Sequence, residues 1–367
     1  MKNRRQKISF LLILVLAASI LLSGCGGETL NTQTDIQMII CTDSIGREVQ
    51  VPKEPKTIAA LDSFSAQAVF VLGEGDRIIA APGGIQRDEL LQQISPSLAN
   101  SSVAMGGGSI NAEELLRIKP DVIFIKGDIY AAESEKTKLD ELGIPFLVIN
   151  YSDMNTQMKA MDIIGKALGK SELADMYRKN YENTIALVSG RVKDIPESEL
   201  PRIYHSVNEA VRTDGPGTLG ADWISVTRAI NVSVDQPLKY VESDYYSTLE
   251  QIYSWNPEII ICNESGVSDY ILTDQKWEGL DAVADNKVYQ MPIGASRWGH
   301  QGSAETALAL LWLAKQLYPD QFQDIDLYEK TKEFYDTFYH YAVTPETMRQ
   351  ILSGKGLRES ISNPSDI

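Results

Sequence analysis

The chain has 367 residues, 43% of them hydrophobic and 23% charged, and its formal net charge is −16. A surface this acidic repels polyanions, which excludes nucleic acid as a partner. The length exceeds what one ordinary core serves and points to two domains.

At the start, MKNRRQKISFLLILVLAASILLSGC sets Lys2, Arg4, Arg5 and Lys7 before an apolar run from Ile8 to Leu22. A membrane span needs about 20 apolar residues, so this shorter run reads as a secretory signal. Its Leu-Ser-Gly-Cys end resembles a bacterial lipobox, which implies cleavage before Cys25 and acylation of that thiol. The expected boundaries are a signal peptide over 1–24 and a polar, lipidated tether over 25–37. Without the signal's four cations the remainder carries about −20. Cys41 and Cys262 lie far apart in apolar runs and are expected to be buried thiols, because a disulfide scaffold would be cysteine-rich.

Beyond the tether, REVQVP (47–52) alternates like a strand. TIAAL (57–61) predicts a buried strand and SFSAQAVFVLG a helix ending at Gly73. SSVAMGGGS is expected to be a loop, INAEELLRI a short helix and DVIFI a buried strand. AAESEKTKLDELG, PFLVIN and NTQMKAMDIIGKALG continue as helix, strand and helix. This alternation predicts an α/β lobe over 38–170 with a mostly parallel sheet. The rhythm then breaks. In residues 172–193, Leu173, Tyr177, Tyr181, Ile185, Val188 and Val192 recur at helical spacing, with Ser171 as N-cap. A spine helix is expected over 171–195.

A second α/β lobe is predicted over 196–326. RIYHSV, NVSVD, EIIIC and KVYQM are its expected strands, with helices at TLGADWISVTRA, STLEQIYSW, DQKWEGLDAVA and SAETALALLWLAKQLY. LLRIKPDVIFIKG (115–127) and IYSWNPEIIICNE (252–264) share one layout of helix end, proline, acid and apolar strand, which suggests two similarly built lobes. A helical appendage over 327–367 is expected to pack on the second lobe.

The stretch with Asp43, Gly46, Arg47, Val51, Pro52 and Pro55, the L-x-x-x-P-D pattern and the segment from Trp277 to Tyr289 together resemble a known family. It is that of the substrate-binding lipoproteins of ABC importers for iron–siderophore complexes, haem and cobalamin. The resemblance implies two Rossmann-like lobes joined by one long helix, a largely pre-formed cleft between them, a monomer, and delivery of the solute to a permease dimer. It also implies a lipid anchor on the outer face of the membrane, no intrinsic cofactor, and an iron(III) chelate or haem as cargo. Cobalamin or a metal oxyanion is the alternative cargo. Surface carboxylates that dock the permease are implied at Glu113 and Asp222.

Ligands of open α/β sheets bind beyond strand ends. Cleft candidates are therefore Ser63, Phe64, Lys126 and Tyr130 from the first lobe. The second lobe offers Tyr204, His205, Arg212, Tyr245, Arg297, Trp298 and His300. Aromatic rings and arginines suit a flat anionic chelate, and His300 or Tyr204 could complete a metal's coordination shell. GPGTLG (215–220) matches a dinucleotide fingerprint but does not directly follow a strand, so it reads as a cleft-rim loop and helix start. Hydrolase motifs (G-x-S-x-G, H-E-x-x-H) are absent, which argues against the competing reading of a lipid-anchored hydrolase.

Overall fold

The computed structural model describes residues 37–357. The predicted signal peptide, Cys25 and the segment after 357 lie outside the described residues. Among the described residues, no helix is long and apolar enough to cross a membrane.

Two four-stranded sheets carry the fold. Across the first, the order is Ile78–Ala80, Ile58–Ala60, Val122–Lys126, Phe146–Ile149. Across the second, it is Ile230–Asn231, Arg202–Ser206, Ile259–Cys262, Val288–Gln290. All neighbours run parallel, and both sheets share one topology. Continuous apolar runs such as IIIC and FLVI fit this arrangement, because crossover helices bury both faces of a parallel sheet. The fold is the two-lobed α/β type that the alternation predicts.

In the chain, the 22-residue helix Ser171–Val192 lies between the two sheets. It buries Tyr177, Tyr181, Val188 and Val192, while Leu173 and Ile185 are half-buried. Its first residue is the expected cap, Ser171; Lys170 stands at the cap and makes no side-chain bond there. One apolar core runs through both lobes: it contains Ile58 and Phe124 from the first, Trp223 and Ile261 from the second, and Tyr177 and Tyr181 from this helix. Lobes that share a close-packed core cannot swing apart without exposing it.

The structure corrects several expectations. SSVAMGGGS holds a short hairpin, Met105–Gly106 with Ser109–Ile110. Of NVSVD only Asn231 lies in the sheet, in the strand Ile230–Asn231, and DQKWEGLDAVA is helical only over Asp281–Ala284. Residues 239–246 form an unpredicted hairpin, Lys239–Val241 with Asp244–Tyr246. Its turn residues Glu242 and Ser243 take φ values of 51° and 70°. Neither is the glycine or asparagine that marks such turns in a sequence.

The C-terminal segment is not one helix. Helix Leu327–Phe334 passes into a π-helical stretch Tyr335–Tyr339, His340 takes a left-handed conformation, and Pro345–Leu352 follows. Nor does it pack on the second lobe alone. Tyr341 Oη donates to Gln93 Oε1 at 2.7 Å, and Tyr339 Oη lies 3.4 Å from Gln67 Oε1, both in the first lobe. Aromatic residues recur through this segment, so it has apolar surface for both lobes. Cys41 and Cys262 are buried free thiols, as expected.

Candidate functional site

Between the lobes lies a cleft of about 540 Å3. That size falls within the usual range for small-molecule sites, about 300–1,000 Å3. Strand ends build both walls. Lys126 closes Val122–Lys126 on the first lobe, and Asn150 to Ser152 follow Phe146–Ile149. His205 belongs to Arg202–Ser206 on the second lobe, and Asn263 follows Ile259–Cys262. The loop through Gly299, His300 and Gln301 forms the base, and the hairpin tyrosines Tyr240 and Tyr245 form one rim.

The base loop is held from all sides. Gln67 of the first lobe donates to Ala295 O and accepts from Ala304 N. Gln157 donates to Ser303 O at 3.1 Å and to Gln301 O at 3.3 Å, and Tyr177 Oη donates to Ala304 O at 2.8 Å. Glu305 anchors the second-lobe side. Its carboxylate accepts from Ser296 N, Ala295 N, Trp298 Nε1 and Tyr335 Oη. Its side chain makes no cap bond to the helix Thr306–Leu317, although Glu305 stands at the cap position. Burial pushes the Glu305 carboxyl up to about 7, against the pull of those four donors.

Of the predicted cleft residues, Lys126, His205, Arg212, Tyr245 and His300 line the cleft. Lys126 Nζ pairs with Asp128 at 2.6 Å and reaches Gln301 Oε1 at 3.5 Å. Arg212 pairs with Asp244, and Tyr240 packs on Tyr245 with ring centroids 4.7 Å apart.

Others lie elsewhere. Phe64 is fully buried and stacks on Tyr151, so it backs the wall rather than forming it. Tyr204 is fully buried and donates to Ala210 O, which also removes it as a metal contact. Alternation along the strand sends it to the face opposite His205. Trp298 is fully buried with its indole on Glu305, so it offers no flat face to a ligand. Tyr130 packs under the Arg47 guanidinium, 4.8 Å from its ring, outside the cleft. Ser63 lies beside Gly302, where a β-carbon would come within 2.7 Å of it. Arg297 is not a lining residue; it pairs with Glu264 at 2.5 Å and lies 3.5 Å from His300 Nε2. Among the described residues no group of three or more His, Cys, Asp or Glu side chains could hold a metal ion.

Of the two implied docking acids, Glu113 is exposed in the first turn of Ala112–Ile118. Asp222 lies in the first turn of Leu219–Val226. It is half-buried and accepts from Met154 N at 2.9 Å, which caps a first-lobe helix from the second lobe.

The shared layout of the lobes pairs Glu113 with another acid. Helices Ala112–Ile118 and Leu249–Trp255 each follow a side-chain N-cap, Asn111 or Thr248, and end on a left-handed residue, Lys119 or Asn256. Each leads through a proline into the third strand of its sheet. In this register Glu113 matches Glu250, which is also exposed. Extending the K-P-D and N-P-E match back through the helix would have found it. Sequence reasoning also missed Asp214, Tyr240 and Asn263. Asn263 directly follows a predicted strand, so the strand-end rule reaches it; nothing local marks Tyr240.

Comparison with known proteins agrees with this architecture. The family model for periplasmic binding proteins matches residues 58–293. The molybdate-binding protein MolA of Haemophilus influenzae is 27% identical over 364 residues, covering 93% of this chain and 99% of the relative. Its molybdate-bound structure superposes with a TM-score of 0.75 at 25% identity, over 84% of this chain and 99% of that one. A periplasmic solute binding protein from Veillonella parvula gives a TM-score of 0.75 at 26% identity, over 86% and 97%. The ABC transporter substrate-binding lipoprotein YvrC of Bacillus subtilis is 24% identical, covering 84% of this chain and 97% of the relative. The chain therefore belongs to the periplasmic binding protein family, the extracytoplasmic, non-catalytic solute-binding components of ABC importers.

Proposed function

We propose that this protein captures a metal-containing solute already dressed in oxygen, a molybdate-class oxyanion, and hands it to an ABC permease while anchored through Cys25. The cleft lining carries the reading. It combines Lys126, Arg212, His205 and His300 with amides, hydroxyls and three carboxylates, Asp128, Asp214 and Asp244, which pair with Lys126, His205 and Arg212, and the described residues hold no cage for a bare metal ion. The metal must therefore arrive ligated. A relative that matches nearly the whole chain is named for binding molybdate, which supports the oxyanion.

An iron(III) chelate, haem or cobalamin is the second reading. The cleft volume and the Tyr240–Tyr245 pair at its rim favour a larger, flatter solute. Glu113 and Glu250 are the docking carboxylates in this proposal, one on each lobe. The protein acts as a monomer, with the domain boundaries expected from the sequence.

The test is a titration of the chain from Gln37 onward with sodium molybdate, a ferric catecholate complex, haem and cobalamin. Calorimetry and tryptophan fluorescence report binding. Saturation by molybdate alone supports the first reading and saturation by a chelate alone the second. Binding of none refutes both.

A further inference from the structure

Two side chains in the cleft wall carry nitrogen atoms that no group of the described protein satisfies. His205 is 1% exposed, and its Nδ1 lies 2.8 Å from Asp214 Oδ2. An ionised carboxylate can only accept, so Nδ1 carries a hydrogen, while buried Nε2 has no partner. Asn263 is fully buried. Its Oδ1 accepts from Asn208 N at 2.8 Å, which sets the amide's orientation and leaves Nδ2 as a donor without an acceptor.

The two residues sit together. His205 pairs in register with Ile261 on the neighbouring strand, and the two-residue period puts Asn263 on the same face, toward the strand's carboxyl end. Both line the cleft. Native proteins seldom leave buried polar atoms unpaired, and a site awaiting its ligand is one place where they do. The charged groups of the wall are already answered: Lys126 by Asp128 and Arg212 by Asp244.

We propose that His205 and Asn263 are the anion-recognition pair of this cleft. Each turns its unpaired nitrogen toward oxygen atoms of one oxyanion, and Asp214 fixes the orientation of the His205 ring through Nδ1. This rests on the reading of the cleft as a solute site and names the chemistry it recognises. A bare cation would leave the Asn263 nitrogen unsatisfied, because an amide nitrogen has no lone pair to offer a metal. A solute with several oxygen atoms can accept from Asn263 Nδ2 and share a hydrogen with His205 Nε2. Asp214 is itself fixed for this role: it accepts from Asn231 Nδ2 at 2.9 Å and from Thr218 Oγ1 at 3.3 Å.

Two near-isosteric changes test the pair, with sodium molybdate as the probe on the chain from Gln37 onward, which is one compact unit. Asn263→Asp keeps an oxygen facing Asn208 N and puts negative charge where the donor stood. Asp214→Asn keeps its oxygen toward His205 and Asn231, both donors, so the Nδ1 hydrogen stays. The charge-assisted bond that orients the ring is replaced by a neutral one. Calorimetry should show molybdate affinity falling about 100-fold or more in the first variant and about 10- to 100-fold in the second. Circular dichroism and melting should confirm that both remain folded. Asn263→Ala, which removes the donor without adding charge, repeats the comparison if Asn263→Asp does not fold.

Wild-type affinity in either variant overturns the pair and leaves the solute-binding function standing. Wild-type protein that takes a ferric catecholate complex but not molybdate overturns the anion chemistry alone. Wild-type protein that binds neither overturns this inference together with the function it rests on.

Discussion

Tyr335→Phe is the sharpest test of how the cleft base is held. The phenol donates to Glu305 Oε1 and accepts from Ala295 N at 2.9 Å, and both residues are fully buried. Removing one hydroxyl therefore strips a charge-assisted bond from a carboxylate that water cannot reach. Such a bond contributes about 1.5–3 kcal/mol, against about 1 kcal/mol for one between neutral groups.

The loss should depend on pH. The Glu305 carboxyl is pushed up to about 7, from a usual value of 4.5. Between those values the folded state holds a proton that the unfolded chain releases, so this group's contribution to stability falls as pH rises through the window. At about pH 8 the phenol faces a carboxylate; at about pH 5 it faces a protonated acid. The variant should lose about 2 kcal/mol at the higher pH and about 1 kcal/mol at the lower. Thermal melts at both pH values measure this, with an expected drop of about 2–6 °C at pH 8 and about half that at pH 5. An equal drop at both values, or a larger one at pH 5, would refute the assignment of a charged Glu305 as the phenol's partner.

Glu113→Ala and Glu250→Ala should each leave solute affinity unchanged and abolish uptake in cells; lost affinity would make either a ligand residue instead. Asp222→Ala should leave uptake intact and lower stability by about 1 kcal/mol, because it removes only the acceptor for Met154 N. Uptake lost at normal stability would restore Asp222 as a docking acid. At Gly220 a β-carbon would lie 2.0 Å from Asp214 Oδ1. Gly220→Ala should therefore displace Asp214 from His205, costing about 1–3 kcal/mol and weakening solute binding. Unchanged melting and affinity would show that Asp214 is not essential to the site.

The architecture was legible because its signals are local. Apolar runs of four or five residues, the helical spacing of Tyr177, Tyr181, Val188 and Val192, and prolines before buried strands need only neighbouring residues to be read. The hairpin over 239–246 escaped because its turn uses Glu242 and Ser243, which carry no turn signature. The C-terminal break escaped because the amphipathic pattern continues through the π-helical stretch to His340.

The candidate site was only half legible, and Arg297-Trp298-Gly299-His300 shows why. The residue types and their place between a strand and a helix said that the loop borders the cleft, and His300 does. Which of the four faces a solute depends on partners distant in the chain. Glu305 and Tyr335 draw Trp298 inward, Glu264 takes Arg297, and Gln67 and Gln157 pin the backbone from the other lobe. The same holds for Tyr204 and His205. Alternation says that they point to opposite faces but not which face meets the cleft, because that is decided by what packs on each side of the sheet. Local chemistry alone thus determined the two-lobed α/β fold, the repeat within it and the strand ends that could meet a solute. Tertiary packing decided which side chains are buried, which are paired, and which, like His205 and Asn263, are left waiting.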